Sequence, residues 1–477
     1  MQPPYLMPSA LKKTIGDNLY RIVNPLSLPL LCYEKNDFMS SISNSRNSTR
    51  RILVASLAGT TIEFFDFYIY GTAAVLVFPK LFFPSADPTT GILESLATFA
   101  LAFFARPVGA ALFGHFGDRV GRKATLIAAL MTMGSSTVAI GLLPTYQSAG
   151  IVAPLLLALF RFGQGLGLGG EWGGAVLLAT ENAPAGKKAW YGMFPQFGAP
   201  LGFVLSTGIF LILGNIMSDA QFQRFGWRIP FIASASLVLV GLYVRLKLIE
   251  TPDFLKIVEN NERVKFPIID VFIKYGRALT LGTIASITVF LFFYIMTVFT
   301  LSWGTNVLGY THFGFLGAQT ISMLFFALGI YVSADLADRY GRGSILMVAT
   351  VAILLFGLFF SRLFIPGNWT VIVAFLALGM FLMGLVYGPL GTALAEIFPI
   401  AVRYTGASLS FTLAGILGAS LTPYLATRLA KSWGLAYVGY YLSIAAALSL
   451  VALLIARSSM QDDVAASKRV EKAGVVS

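Results

Sequence analysis

The sequence predicts an all-α integral membrane protein, with twelve membrane-spanning helices in two pseudo-symmetric six-helix bundles. Three observations carry that fold class. Of 477 residues, 56% are hydrophobic and 12% are charged, about half the charged share of a soluble domain. The apolar residues come in blocks of about 20, the length that crosses a bilayer core as a helix. The blocks fall six and six on either side of the polar gap 250–277, which opens ETPDFLKIVENNERVKF.

The lead-in, residues 1–50, is rich in Pro, Asn and Ser, and its apolar stretch LSLPLL is too brief to span. Met39 opens MSSISNSRNSTRR, a polar leader of the kind that precedes a first span, so Met39 is the expected start and 1–38 an extension. The N-terminal bundle occupies 51–249, with spans at 51–78, 92–114, 123–143, 151–180, 190–214 and 228–249. The first begins after Arg50 and Arg51 and contains TIEFFDFYIYG, which buries Glu63 and Asp66 in an apolar run. The second runs into the loop GHFGDRVGRK; the fourth carries RFGQGLGLGGEWGG; the fifth carries Pro195 and Pro200, which remove backbone donors and can bend a helix. The gap 250–277 reads as a cytoplasmic linker, partly helical. The C-terminal bundle occupies 278–456, with spans at 278–303, 314–336, 343–362, 369–392, 404–428 and 434–456, and 457–477 is a cytoplasmic tail.

Lys and Arg orient the chain. They concentrate at Arg50–Arg51, Arg119–Arg122–Lys123, Lys187–Lys188, the linker, Arg339–Arg342, Arg403 and Arg457, while the opposite loops are poorer. The positive-inside rule then places both termini in the cytoplasm. The same topology explains the net charge of +12 without nucleic acid. One cysteine, Cys32, excludes an internal disulfide, and His115 and His312 form no metal-ligand pattern. No cofactor motif and no nucleophile–base constellation is present, which sets an enzyme aside.

The chain also repeats itself. GHFGDRVGRK at 114–123 and ADLADRYGRG at 334–343 share D-R-x-G-R, and Glu181, Pro184 and Lys188 are echoed by Glu396, Pro399 and Arg403. Two echoes at nearly one offset indicate duplicated halves, a recurrent transporter design.

These residues carry a family resemblance. GHFGDRVGRK resembles the G-x-x-x-D-R-x-G-R-[KR] loop of the major facilitator superfamily, and RFGQGLGLGGEWGG its R-x-x-Q-G-x-G motif. EFFDF, FFARPVGAALFGHFGDRVGRK and GGEWGGA together resemble the metabolite:proton symporter branch, over residues 51–456. The resemblance implies a carrier of small carboxylates and zwitterions such as shikimate, 2-oxoglutarate, citrate, proline and betaine. It implies that Gly114, Asp118, Arg119, Gly121, Arg122 and Lys123, with Asp338, Arg339, Gly341 and Arg342, form a cytoplasmic gate. The second loop departs from the pattern at Ala334 and Gly343, so its gate is expected to be looser. Asp118 can accept from an arginine or a helix N-terminus across the bundle, whereas the basic residues alone would also serve as positive-inside anchors.

Five ionisable residues lie deep in spans: Glu63, Asp66, Arg106, Arg161 and Glu171. An isolated charge costs at least about 2.5–3.5 kcal/mol at mid-membrane, so these should pair or line a watered cavity. Glu63 and Asp66, three residues apart, share a helix face, and two close carboxylates resist ionising together. Glu63, Asp66 and Arg161 are the proton-coupling candidates. The substrate-binding candidates are Arg106, Arg161, Gln164, Glu171, Trp172, Tyr294, Gln319 and Tyr387; for Arg106 snorkelling, and for Glu171 static pairing, would serve as well. The expected activity is proton-coupled import of a small organic acid or zwitterion by alternating access, by a monomer in the bacterial inner membrane, driven by the proton gradient with no cofactor and no metal. An exporter or exchanger of the same fold, or a non-transporting membrane nutrient sensor, are the alternatives.

Overall fold

The computed structural model describes residues 49–84, 88–260, 264, 266–365 and 367–474. The reading of Met39 as the start lies outside them. Among the described residues there are helices and connecting loops but no strand. We number the membrane helices α1 Thr49–Leu76, α2 Pro88–Arg119, α3 Arg122–Leu142, α4 Val152–Glu181, α5 Lys188–Ile216 and α6 Arg228–Leu246. The second half continues with α7 Gly276–Asn306, α8 His312–Tyr340, α9 Arg342–Leu358, α10 Trp369–Ile397, α11 Ile400–Trp433 and α12 Leu435–Gly474.

Eleven of these are long and apolar enough to cross a membrane; α9, with 17 residues, is apolar but shorter. At 1.5 Å per residue it rises roughly 26 Å, just under a hydrocarbon core, and the turn Phe360–Leu363 continues it. Several ends differ from the hydropathy reading. Helix α2 extends past 114 through Asp118 to Arg119, because the turn waits for Gly121. Helix α11 breaks after Ala419 and restarts at Thr422, with Pro423, which has no N–H to donate, in the first turn of the new segment. Helix α5 is interrupted at Phe197 between Pro195 and Pro200. Helix α12 does not stop at 456 but continues to Gly474. The linker holds two short helices, Pro252–Glu259 and Pro267–Ile273.

The duplication is visible in the packing. In the first half α2 lies on α4, α3 on α4 and α6, and α1 on α5 and α6. In the second, α8 lies on α10, α9 on α10 and α12, and α7 on α11 and α12. The halves meet through α2 against α11 and α5 against α8, again a matched pair. Glycine sets the closest approach: a Cβ on Gly169 of α4 would stand 2.0 Å from the Arg106 carbonyl of α2. Only a bare Cα lets these two charged helices touch.

Candidate functional site

The acids of α1 point into different surroundings. Asp66 is fully buried and hydrogen-bonded: Ser234 Oγ of α6 donates at 2.6 Å and Thr137 Oγ1 of α3 at 2.8 Å. Thr137 Oγ1 in turn accepts from Gln164 Nε2 at 2.7 Å, and Gln164 Oε1 accepts from Arg161 at 2.9 Å. Asp66 and Arg161 are thus joined through two neutral side chains rather than in contact. Glu63 is also buried, but neither of its oxygens has a hydrogen-bond partner. It stands 3.5 Å from Arg106 of α2, an ion pair without hydrogen-bond geometry. Among the described residues no hydrogen bond or ion pair links Glu63 to Asp66. The expectation of a mutually repelling acid pair is corrected: on one helix face, each acid meets its own partners.

Snorkelling does not account for Arg106. Its side chain is 6% exposed and turns inward to a cavity of about 40 Å³ between the halves. Aromatic side chains wall that cavity: Phe67 and Tyr68 from α1, Phe293 and Tyr294 from α7, Tyr387 from α10 and Phe411 from α11. The Tyr387 hydroxyl is buried without a hydrogen-bond partner. Arg161, in contrast, is enclosed. Its guanidinium lies 3.9 Å from the Tyr70 ring centroid, 4.9 Å from Phe99 and 5.0 Å from Phe67, a cation–π cage off the cavity.

The other candidates sort by what they touch. Glu171 forms a bidentate ion pair with Arg245 of α6, one bond at 2.9 Å, and Arg245 also donates to the Leu126 carbonyl. Glu171 therefore ties α4 to α6, as the static alternative expected, and is not among the cavity-lining residues. Arg245 was missing from the deep charges, and it is the base that Glu171 meets. Trp172 stacks on Phe411 at 3.6 Å between centroids and donates to Gln196 Oε1, whose amide donates to the Tyr387 carbonyl at 2.8 Å. This layer crosses from α4 to α10 and α11 directly beneath the cavity. Gln319 is taken up elsewhere: its amide donates to the Met296 and Thr297 carbonyls, which belong to a π-helical turn, Ile295–Phe299, inside α7. It satisfies acceptors that the widened turn releases, so its role is to hold α7. Thr137, Ser234, Gln196 and Tyr68 carry contacts that sequence reasoning passed over, and nothing in an unaligned sequence marks a neutral hydroxyl or amide as the neighbour of a distant acid.

At the linker end the two D-R-x-G-R loops form matching clamps. Asp118 accepts from the backbone N–H of Tyr404 at 3.1 Å and of Thr405 at 2.9 Å, and from the Thr405 hydroxyl at 2.8 Å. Asp338 accepts from the N–H of Ala189 and of Trp190, both at 2.9 Å. Each carboxylate caps a helical start in the opposite half, where unpaired N–H groups and the helix dipole favour an anion. Gly121 at φ +136° and Gly341 at φ +89° make the tight turns that a side chain would strain. Behind the first clamp, Arg122 lies 3.1 Å from Asp118 and 3.5 Å from Glu181. Behind the second, Arg342 donates to Glu396 at 2.6 Å. Glu250 of the linker caps α3 through the N–H of Arg122 and Lys123. Arg119 and Arg339 face outward, and Gly114 packs against Thr405. Asp118 and Arg122 thus lie in the clamp and Arg119 on the exposed surface. The second clamp keeps its backbone bonds despite Ala334 and Gly343, although Arg342 is 22% exposed where Arg122 is sealed.

The family profile described as Sugar (and other) transporter matches residues 51–266, and that described as Major Facilitator Superfamily matches 319–477. The inner membrane metabolite transport protein YhjE of Escherichia coli (strain K12) is 54% identical, over 86% of this chain and 94% of that protein. The shikimate transporter of the same strain is 34% identical over 87% of this chain and 96% of its own length; the proline/betaine transporter is 33% identical over 84% and 82%. Among solved structures, the proton:xylose symporter XylE bound to 6-bromo-6-deoxy-D-glucose superposes with a TM-score of 0.69 at 17% identity, over 85% of this chain and 94% of that one. That last likeness is one of fold.

Proposed function

We propose a transport cycle on one premise: this chain belongs to the major facilitator superfamily, whose members here are membrane transporters and not enzymes. It carries a metabolite. On our reading it works in the bacterial inner membrane as a monomer, with the linker end and both termini in the cytoplasm, and imports a small organic acid or zwitterion together with a proton. The named relatives, a shikimate transporter and a proline/betaine transporter, support that class of cargo. The observation that carries the proton-coupled reading is Glu63, a carboxylate sealed within α1, without a hydrogen bond, beside the cation that faces the cavity. Such a group is costly to keep charged in a membrane interior unless its partner stays in place. Its protonation state therefore tracks what happens at Arg106. Asp66, hydrogen-bonded towards Arg161, is the second candidate for the coupled proton. The clamps at Asp118 and Asp338 hold the linker end closed, and alternating access requires them to release as the two halves rock. No cofactor enters the cycle; the proton gradient drives it.

The test is uptake of a panel of radiolabelled organic acids and zwitterions into inside-out and right-side-out vesicles with an imposed pH gradient. Gradient-driven accumulation that a protonophore abolishes, and that Glu63→Gln or Asp66→Asn removes while the protein remains in the membrane, is the expected result. Unimpaired accumulation in both single variants, or transport in the outward direction only, overturns the reading.

A further inference from the structure

We propose that Arg106 is the carboxylate receptor of the central cavity and works by exchange. One carboxylate of a compact monocarboxylate replaces Glu63 at its guanidinium, and the released Glu63 takes up one proton from water. This rests on the reading above only in taking the cavity as the cargo site.

Four observations lead there. Arg106 is the one charged side chain among the described residues that line the cavity. Arg161 is enclosed by Phe67, Tyr70 and Phe99 and bonded to Gln164; its Nε and Nη2 are unpartnered, but it is not among the residues that line the cavity, so it does not offer a second anion site there. The Glu63–Arg106 pair is imperfect: at 3.5 Å it makes no hydrogen bond, and Arg106 Nε is unpartnered as well. A cargo carboxylate approaching from the cavity can meet the guanidinium in the fork geometry that Glu63 does not achieve. Finally, the rest of the wall is aromatic except for Ala199, Val289 and Met383, and the ring faces carry partial negative charge.

Charge balance sets the proton. Before binding, the site holds one guanidinium and one carboxylate. A bound cargo anion adds a second negative charge in a poorly solvated space, and neutrality returns when Glu63 becomes a carboxylic acid. No other neighbour is positioned to absorb the difference. Around Glu63 stand Arg106 of α2, Glu171 of α4 and Arg245 of α6, already paired with each other, and Tyr68 of α1 and Tyr387 of α10. The same balance sets selectivity. A second or third cargo carboxylate would lie against aromatic faces with no cation opposite, so citrate-like and 2-oxoglutarate-like anions are refused. The void of about 40 Å³ also favours a compact body, with the Phe and Tyr rings as its packing surface.

The experiment is equilibrium binding to the purified full-length chain in nanodiscs, with no gradient present. The probes are benzoate and cyclohexanecarboxylate, with citrate and benzyl alcohol for comparison. Calorimetry in buffers of different ionisation enthalpy counts protons. The expected result is saturable binding of at least one monocarboxylate with uptake of one proton, an affinity that weakens about tenfold per pH unit while the unliganded pair is ionised, and no binding of citrate or benzyl alcohol. In Glu63→Gln binding persists, loses its pH dependence and takes up no proton. In Arg106→Gln binding is lost; the double variant Glu63→Gln/Arg106→Gln leaves no unpaired charge to unfold the bundle and loses it too. Proton uptake that survives Glu63→Gln, binding that survives the double variant, citrate binding as tight as the best monocarboxylate, or no binding of any monocarboxylate each overturn the proposal. Because no transport is measured, a carrier that exports would leave the exchange standing. Proton-driven import combined with proton-free binding would refute the exchange and leave the import.

Discussion

Glu63, Asp66 and Glu171 are all buried acids of the first half, and each is stabilised in a different way. Asp66 has two hydroxyl donors, Glu171 a bidentate guanidinium, Glu63 an ion pair alone. Their variants should diverge accordingly. Removing one partner of a buried ion pair leaves the other charge unmatched, typically at a cost of about 3–5 kcal/mol. Glu171→Gln is therefore expected to lower the unfolding midpoint of the solubilised protein markedly, whereas Glu171→Leu/Arg245→Met recovers most of the loss; equal instability of the double variant would contradict a purely structural pair. The double variant Thr137→Val/Ser234→Ala strips both hydroxyls from Asp66 while leaving its charge. It should keep membrane expression and change the pH profile of uptake, which a pH series of initial rates reads directly.

At the scale of the helix, the α2–α4 contact tests how far glycine governs the site. A methyl on Gly169 would collide with the Arg106 backbone, whereas one on Gly208 of α5 meets open space. Gly169→Ala should cost about 1–3 kcal/mol by overpacking, and Gly208→Ala should be neutral or mildly stabilising; thermal denaturation in detergent ranks the two. The helices themselves were legible, because hydropathy and the duplicated loop are properties of a single line of text: Asp118 and Asp338 announce each other by spacing alone. The contacts were not. Arg245 lies 74 residues from Glu171 and Thr137 lies 71 from Asp66, so neither pairing leaves a local trace. Arg245 stands in the last turn of α6, where nothing in the sequence sets it apart as a deep charge. Gln319 misled for the same reason, since a π-helical turn more than twenty residues away has no sequence signature.

Across the whole molecule, the clamps at Asp118 and Asp338 hold the same end of the two halves, and the Trp172–Phe411 layer closes the floor of the cavity above them. Weakening a clamp should expose that floor. With Cys32→Ser as background, a cysteine introduced by Ser408→Cys, at a buried position of α11, should react faster with a membrane-impermeant maleimide applied to the linker side when Asp118→Ala is added. An unchanged labelling rate would mean that the clamp does not control access there. The Glu171–Arg245 ion pair, sealed between α4 and α6, also has an electrical meaning. A transmembrane voltage acts on each displaced elementary charge with about 2.3 kcal/mol per 100 mV. A pair that moves as one neutral unit within its half gives that field nothing to pull on, so it can brace α4 against α6 through the whole cycle without adding a voltage-sensitive step.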